Sequence, residues 1–144
     1  MRRLLRSAFL GPALLLACTP AAAATIEVIK TASCGCCAKW VEHLRKEGFT
    51  VKIRDVQDVS PTARALGVPD QLRSCHSAKT GGYAVEGHVP AGDIKRLLRE
   101  KPKAAGIAVP GMPAGSPGME GGRKQPYATM IFQRDGKHRI FAQH

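Results

Sequence analysis

Acidic residues are scarce in this chain: 11 Asp and Glu stand against 22 Lys and Arg, for a formal net charge of +11. Such an excess can mark a nucleic-acid or anionic-membrane partner. Aromatic residues are scarce as well, with one Trp, two Tyr and four Phe, so there are few platforms on which bases could stack. The basic residues are scattered, in short groups such as Lys101-Pro102-Lys103 and Arg123-Lys124. Scatter and missing aromatics together exclude a nucleic-acid partner. Beyond the first residues no apolar run is long enough to cross a bilayer. There are no internal repeats, no Ser/His/Asp arrangement, no paired-carboxylate site and no phosphate-binding glycine loop, so hydrolytic chemistry has no visible machinery. The 144 residues support one domain with one modest core.

The start, MRRLLRSAFLGPALLLACTPAAAA, places arginines at 2, 3 and 6 before an apolar run from Ala8 to Ala17 and a small-residue stretch. That is the order of a secretory signal peptide, expected over residues 1–24 with the working domain at 25–144. Leu15-Leu16-Ala17-Cys18 also resembles a lipoprotein processing box, in which Cys18 becomes the acylated first residue. Simple export is the leading expectation, and a membrane enters only if Cys18 is lipidated. Either way the domain is expected outside the cytoplasm, in a bacterial periplasm. Removing three positive charges from +11 leaves +8, and the cysteines that remain are Cys34, Cys36, Cys37 and Cys75.

Four cysteines in an oxidising compartment ordinarily mean two structural disulfides. The spacing Cys34-Gly35-Cys36-Cys37 argues against that, because adjacent cysteines pair only through a strained bond. Cys75 could staple one of the three, or Cys34 could pair with Cys37 as a redox disulfide; each arrangement leaves two thiols over.

Thr25–Lys30 alternates with β-branched residues and predicts a strand running into the cysteines. Cys36–Glu47 carries Trp40, Val41 and Leu44 at helical spacing and stops at Gly48, and Phe49–Val56 predicts a second strand. The cysteines therefore sit at the strand-to-helix junction of a β-α-β unit. Ser60-Pro61 starts a short helix to Leu66, a second helical piece is expected around Pro69–Arg73, a short strand follows a Gly-Gly turn over Thr80–Glu86, and Pro90–Glu100 predicts a helix. Glycine and proline punctuate residues 106–126 every few positions, which predicts one long irregular loop. Tyr127–Gln133 and His138–Ala142 flank Asp135-Gly136 and predict a β-hairpin. The expected class is α/β. The order resembles a thioredoxin-like single domain with an inserted strand-helix block between about 75 and 106, a long Gly/Pro/Met loop and a C-terminal β-hairpin.

At a helix start, orphan N–H groups stabilise thiolates and lower their pKa. Low-pKa thiolates suit redox exchange and metal binding alike. The third cysteine separates the two, since an exchange enzyme needs one attacking and one resolving thiol, whereas clustered sulfurs favour soft-metal capture and can bridge ions. A redox dithiol of Cys34 and Cys37 is the alternative, and a structural zinc or disulfide a further one. Cys75, next to His76, is read as a fourth sulfur of the same site. His88, in Glu86-Gly-His-Val-Pro90, stands where a side chain can enter a cleft. His43, His138 and His144 read as solvated or tail residues. Met112 and Met119 lie among Gly, Pro and Ser with no apolar face to bury, and thioether sulfur is a ligand for Cu(I) and a poor one for zinc. Met130 reads as core.

Cys34-Gly-Cys-Cys37, Ser74-Cys75-His76, Gly82-Tyr83 with Glu86-Gly-His-Val-Pro90, and Val109-Pro-Gly-Met-Pro-Ala-Gly-Ser-Pro-Gly-Met119-Glu120 together resemble the periplasmic CopG-type copper-resistance proteins, a thioredoxin-like metal-binding family. The resemblance covers nearly all of residues 25–144. It implies a Cu(I)-binding protein in which thiolates bridge a multinuclear copper cluster, with Cys34, Cys36, Cys37 and Cys75 as ligands and His88, Met112 and Met119 as contributors. Copper ions, with periplasmic copper-handling proteins to deliver or receive them, are the partners it implies.

Overall fold

The computed structural model describes residues 23–144; the expected leader up to residue 22, including Cys18, lies outside the described residues. The elements are β1 Thr25–Lys30, α1 Gly35–Lys46, β2 Thr50–Asp55, α2 Ser60–Ala65, a 3-10 turn Asp70–Leu72, β3 His76–Thr80, β4 Tyr83–Gly87, α3 Ala91–Glu100, β5 Gly106–Val109, β6 Ala128–Phe132 and β7 His138–Gln143. One mixed sheet of seven strands runs in the order β2-β1-β3-β4-β5-β6-β7. Among the described residues only β1/β2 and β4/β5 are parallel, and each of these pairs is bridged by a helix, as a parallel connection requires.

Both bridging helices cover the same face. Trp40, Val41 and Leu44 of α1 and Ile94 and Leu97 of α3 pack with Ile26, Val28, Val85, Ile107, Val109 and Ile131 in one core. Full burial of a side chain of this size contributes about 1.5–3 kcal/mol. Ala63 of α2, with Val68 and Leu72, covers the other face over Ala84, Ala108 and Phe132. The alternation is that of a sheet buried on both sides: Val85 faces one core and Ala84 the other, and Ile107 and Ala108 divide likewise.

Two strands are additions to the sequence reading. β3 is a central, mostly buried strand, but its sequence His76-Ser-Ala-Lys-Thr80 carries no apolar period. The Gly81-Gly82 turn, with both φ positive, joins it to β4 as a tight hairpin. β5 opens the segment expected to be wholly irregular; Gly106-Ile-Ala-Val109 is buried throughout and pairs with β4 and β6. The inserted block is thus larger than one strand and one helix. The remaining loop is organised by its own turns, with Gly115 N–H donating to Met119 O at 3.0 Å and Gln125 N–H to Ala114 O at 3.0 Å. The C-terminal hairpin forms as expected. His144 is not a solvated tail: its Nε2 lies 2.9 Å from the Asp93 carboxylate on α3.

Candidate metal centre

β1 ends where the cysteines begin. The turn closed by Cys34 N–H to Thr31 O at 3.2 Å makes Cys34 the N-cap residue of α1, with no side chain capping the helix. The first N–H groups of α1 therefore face Cys34, Cys36 and Cys37. Cys75 is delivered from the opposite direction, at the start of β3, which pairs with β1 through Lys30 and His76.

These elements bring four sulfurs together. Cys36 Sγ is 3.5 Å from Cys34 Sγ and 3.9 Å from Cys75 Sγ, and Cys37 Sγ is 3.6 Å from Cys75 Sγ. Two thiolates on one metal, each about 2.3 Å from it at a tetrahedral angle, stand about 3.8 Å apart. The observed separations match that value, and the four ligand atoms all lie within 4.8 Å of one another, so the cluster is able to hold a metal ion. Cys34 and Cys37 are joined as a disulfide, while Cys36 and Cys75 are free and half-buried. Burial, and then the neighbouring Cys36, push the Cys75 thiol up to about 12. It holds its proton until a cation displaces it.

His88 adjoins the sulfurs with its lone pair set. Its Nδ1 is 2.9 Å from Pro117 O, a carbonyl that can only accept, so the proton sits on Nδ1 and Nε2 is bare. Nε2 points at Cys75 Sγ, 3.3 Å away. Pinning one ring nitrogen to a carbonyl is the usual way proteins orient an imidazole ligand. Burial lowers the His88 pKa, which keeps the ring neutral and able to ligate.

His76 is the residue that sequence reasoning missed. Its ring is fully buried between Trp40, at 4.4 Å, and His88, at 5.0 Å edge-on, with Nδ1 3.4 Å from Cys75 Sγ. Burial, and then His88, take its pKa down to about 3. The one sequence signal was the Cys-His dipeptide itself, and the polar composition of β3 hid the strand that turns this side chain inward.

The Gly/Pro loop closes one side. Gly118 lies against the start of α1, so near that a Cβ there would be 2.7 Å from Cys36 O and 2.9 Å from Trp40 N. Met119 joins Gly35, Cys36, Lys39, Gly118 and Glu120 in lining an open cleft of about 480 Å³. Met112 is half-exposed, at 52%; its neighbour Gly111 is tied to the Cys75 segment by Ser74 Oγ, which donates to Gly111 O at 2.6 Å. Behind Cys75, the buried Glu86 carboxylate accepts from Ser74 N–H at 2.8 Å and from Ser77 Oγ at 2.6 Å. Burial nevertheless raises its pKa. Of the residues singled out in the sequence, the structure gathers Cys34, Cys36, Cys37, Cys75 and His88, sets Met119 beside Cys36, and leaves Met112 on the rim of the loop. His43 departs from the solvated reading, since it accepts from Ala91 N–H at 3.1 Å at the start of α3.

Two solved structures resemble the chain over nearly its whole described length. One, titled "Copper resistance protein copG- Form 2", superposes with a TM-score of 0.80 at 44% identity, covering 85% of this chain and 98% of that one. The other, "Copper resistance protein copG- Form 1", gives 0.78 at 45% identity, covering 83% and 96%. Residues 72–119 match a family described as "Protein of unknown function, DUF411". No curated protein matches the chain.

Proposed function

The chain belongs to the family of the copper resistance protein CopG, and from that premise we propose that it is a periplasmic Cu(I)-binding protein of copper resistance. The observation that carries the reading is the gathering of four cysteine sulfurs at the N-terminus of α1 at metal-sharing separations. Sulfur in this density selects soft ions, and the neighbouring imidazoles are compatible donors. With Cys34 and Cys37 reduced, four thiolates are available to bridge more than one Cu(I), and Met119 supplies a thioether at the open side. We read the β1-α1-β2 unit and the β6-β7 hairpin as a thioredoxin-like core in which the CxxC position has been given over to metal. Export through the N-terminal leader places the domain in the periplasm, where copper-handling proteins would deliver or receive the ion. Intact mass of the mature protein decides between cleavage near Ala24 and lipidation at Cys18.

Anaerobic alkylation tests the assignment. In the reduced protein, stoichiometric Cu(I) should protect Cys34, Cys36, Cys37 and Cys75 from iodoacetamide; labelling of all four at the metal-free rate would overturn it. A second reading, a thiol–disulfide oxidoreductase, draws on the Cys34–Cys37 disulfide. It predicts turnover of a disulfide substrate and a reduction potential in the range of redox enzymes; a permanently reduced or inert pair would remove it.

A further inference from the structure

Cys75 stands at the meeting point of two sets of donors. One is the four-sulfur cluster, and the other is Cys75 with His76 and His88, whose ligand atoms also lie within 4.8 Å of one another. Cys36 belongs to the first set and not the second.

The second set has the spacing of ligands around one ion. A sulfur and a nitrogen bound to one metal at about 2.3 and 2.0 Å stand about 3.5 Å apart at a tetrahedral angle. Cys75 Sγ is 3.4 Å from His76 Nδ1 and 3.3 Å from His88 Nε2. Hydrogen bonding alone does not account for this trio. His88 Nε2 is bare, because Nδ1–H is spent on Pro117 O, so the thiol proton of Cys75 can satisfy it. His76 then has only the sulfur at Nδ1, while its buried Nε2 makes no hydrogen bond of ordinary geometry and meets at most the Gly87 backbone, a weak influence beside its burial. A buried imidazole this poorly paired is a cost of about 1–3 kcal/mol to the metal-free fold. A metal on Nδ1 would fix the ring's proton on Nε2, toward the Gly87 backbone, and gives this polar ring a role at 0% exposure between Trp40 and His88.

We propose that Cys75 Sγ, His76 Nδ1 and His88 Nε2 form a site for a single copper ion at the buried floor of the cluster, one that persists when Cys34 and Cys37 are disulfide-bonded. This rests on the copper reading of the cluster and adds to it a mononuclear state. On binding, the Cys75 S–H bond is replaced by a sulfur–metal bond and the proton leaves to solvent; no electron is transferred. One sulfur and two imidazoles is a donor set that suits copper, whereas structural zinc takes four protein ligands. The closed disulfide withdraws Cys34 and Cys37 and leaves all three donors unbonded, with Cys37 Sγ packed 3.6 Å from Cys75 Sγ, so the pair sets how many ions the protein holds and not whether it holds one.

The test titrates the disulfide form, its Cys34–Cys37 bond verified by mass, with chelator-buffered Cu(I) under argon, beside Cys36→Ser and His76→Phe in the same form. One ion per chain is expected in the wild type and in Cys36→Ser, with at least tenfold weaker binding in His76→Phe whose far-UV CD matches the wild type. Because His76→Phe can disturb the core, copper K-edge absorption of the loaded wild type provides an independent reading, with outer-shell scattering from two imidazole rings expected. Absence of binding, full affinity in folded His76→Phe, or a spectrum without imidazole overturns the proposal. If the disulfide form binds none while the fully reduced protein binds Cu(I), this inference alone falls; if neither binds, the copper reading falls with it.

Discussion

Gly118→Ala is the perturbation that separates a loop packed onto the metal centre from one that merely passes it. Gly118 has φ +87° and Gly111 in the same loop has φ +67°, so alanine at either position is strained by about 1–2 kcal/mol. At Gly111 nothing lies within 4 Å of the new methyl group, whereas at Gly118 it would meet Cys36 O at 2.7 Å, Trp40 N at 2.9 Å and His88 Nδ1 at 3.3 Å. The first two are backbone atoms of α1, a helix anchored in the core through Trp40, Val41 and Leu44, so the loop must give way. Moving it withdraws Pro117 O from His88 Nδ1, now 2.9 Å away, and forfeits about 1 kcal/mol of hydrogen bonding. Gly118→Ala should therefore cost about 3 kcal/mol in urea unfolding of the metal-free protein, against about 1–2 for Gly111→Ala. With His88 no longer oriented, Cu(I) affinity measured against a chromophoric chelator should fall about 10–100-fold in Gly118→Ala, the usual effect of losing a partner behind a ligand. Equal stability and equal affinity in the two variants would mean that the loop neither packs on α1 nor holds His88 in place.

Ser77→Ala removes a donor at 2.6 Å from the buried Glu86 carboxylate and should destabilise by about 1.5–3 kcal/mol. Glu86→Gln in the same background should recover part of that in urea unfolding, and no recovery would contradict the account of Glu86 as a carboxylate buried against its preference. Asp93→Ala should unfold at lower urea without changing copper affinity, because it strips Thr129 and His144 of their shared acceptor and removes no hydrogen bond made by a proposed ligand. The metal-free protein should lose stability in mild acid. Burial holds His76 at about 3 and lowers His43, while an unfolded imidazole titrates near about 6.5. The unfolded chain therefore binds more protons in this window: the contribution is complete above about 6.5 and is lost as pH falls toward the folded values, with a slope of up to about 1.4 kcal/mol per pH unit from His76. Equal urea midpoints at pH 7 and pH 5 would count against it.

Much of this arrangement is legible in the sequence, and the gaps have physical causes. β1, α1 and α3 follow from apolar period, since each presents one clear face to a core, while β2 and the closing hairpin, whose last strand is largely exposed like β2, follow from alternating β-branched residues and turn residues. β3 does not, because a strand whose buried positions are His76, Ser77, Ala78 and Thr80 lacks the alternation from which strands are recognised. β5 was hidden by its glycine start and by the Gly/Pro run that follows Val109. The sulfur cluster was legible because clustered cysteines need no fold to announce them. His76 was not, because its role depends on β3 facing α1, a tertiary fact. Met112 shows the converse: composition drew attention to it, and the structure leaves it half-exposed.

The third sulfur of Cys34-Gly-Cys-Cys37 is what would separate a copper site from a dithiol with an idle neighbour. Anaerobic Cu(I) titration of the fully reduced protein and of Cys36→Ser, followed by mass spectrometry and chelator competition, tests it most directly. Wild type should hold more than one Cu(I) per chain and Cys36→Ser should lose stoichiometry or affinity; identical stoichiometry and affinity in the two would leave Cys36 with no part in copper binding.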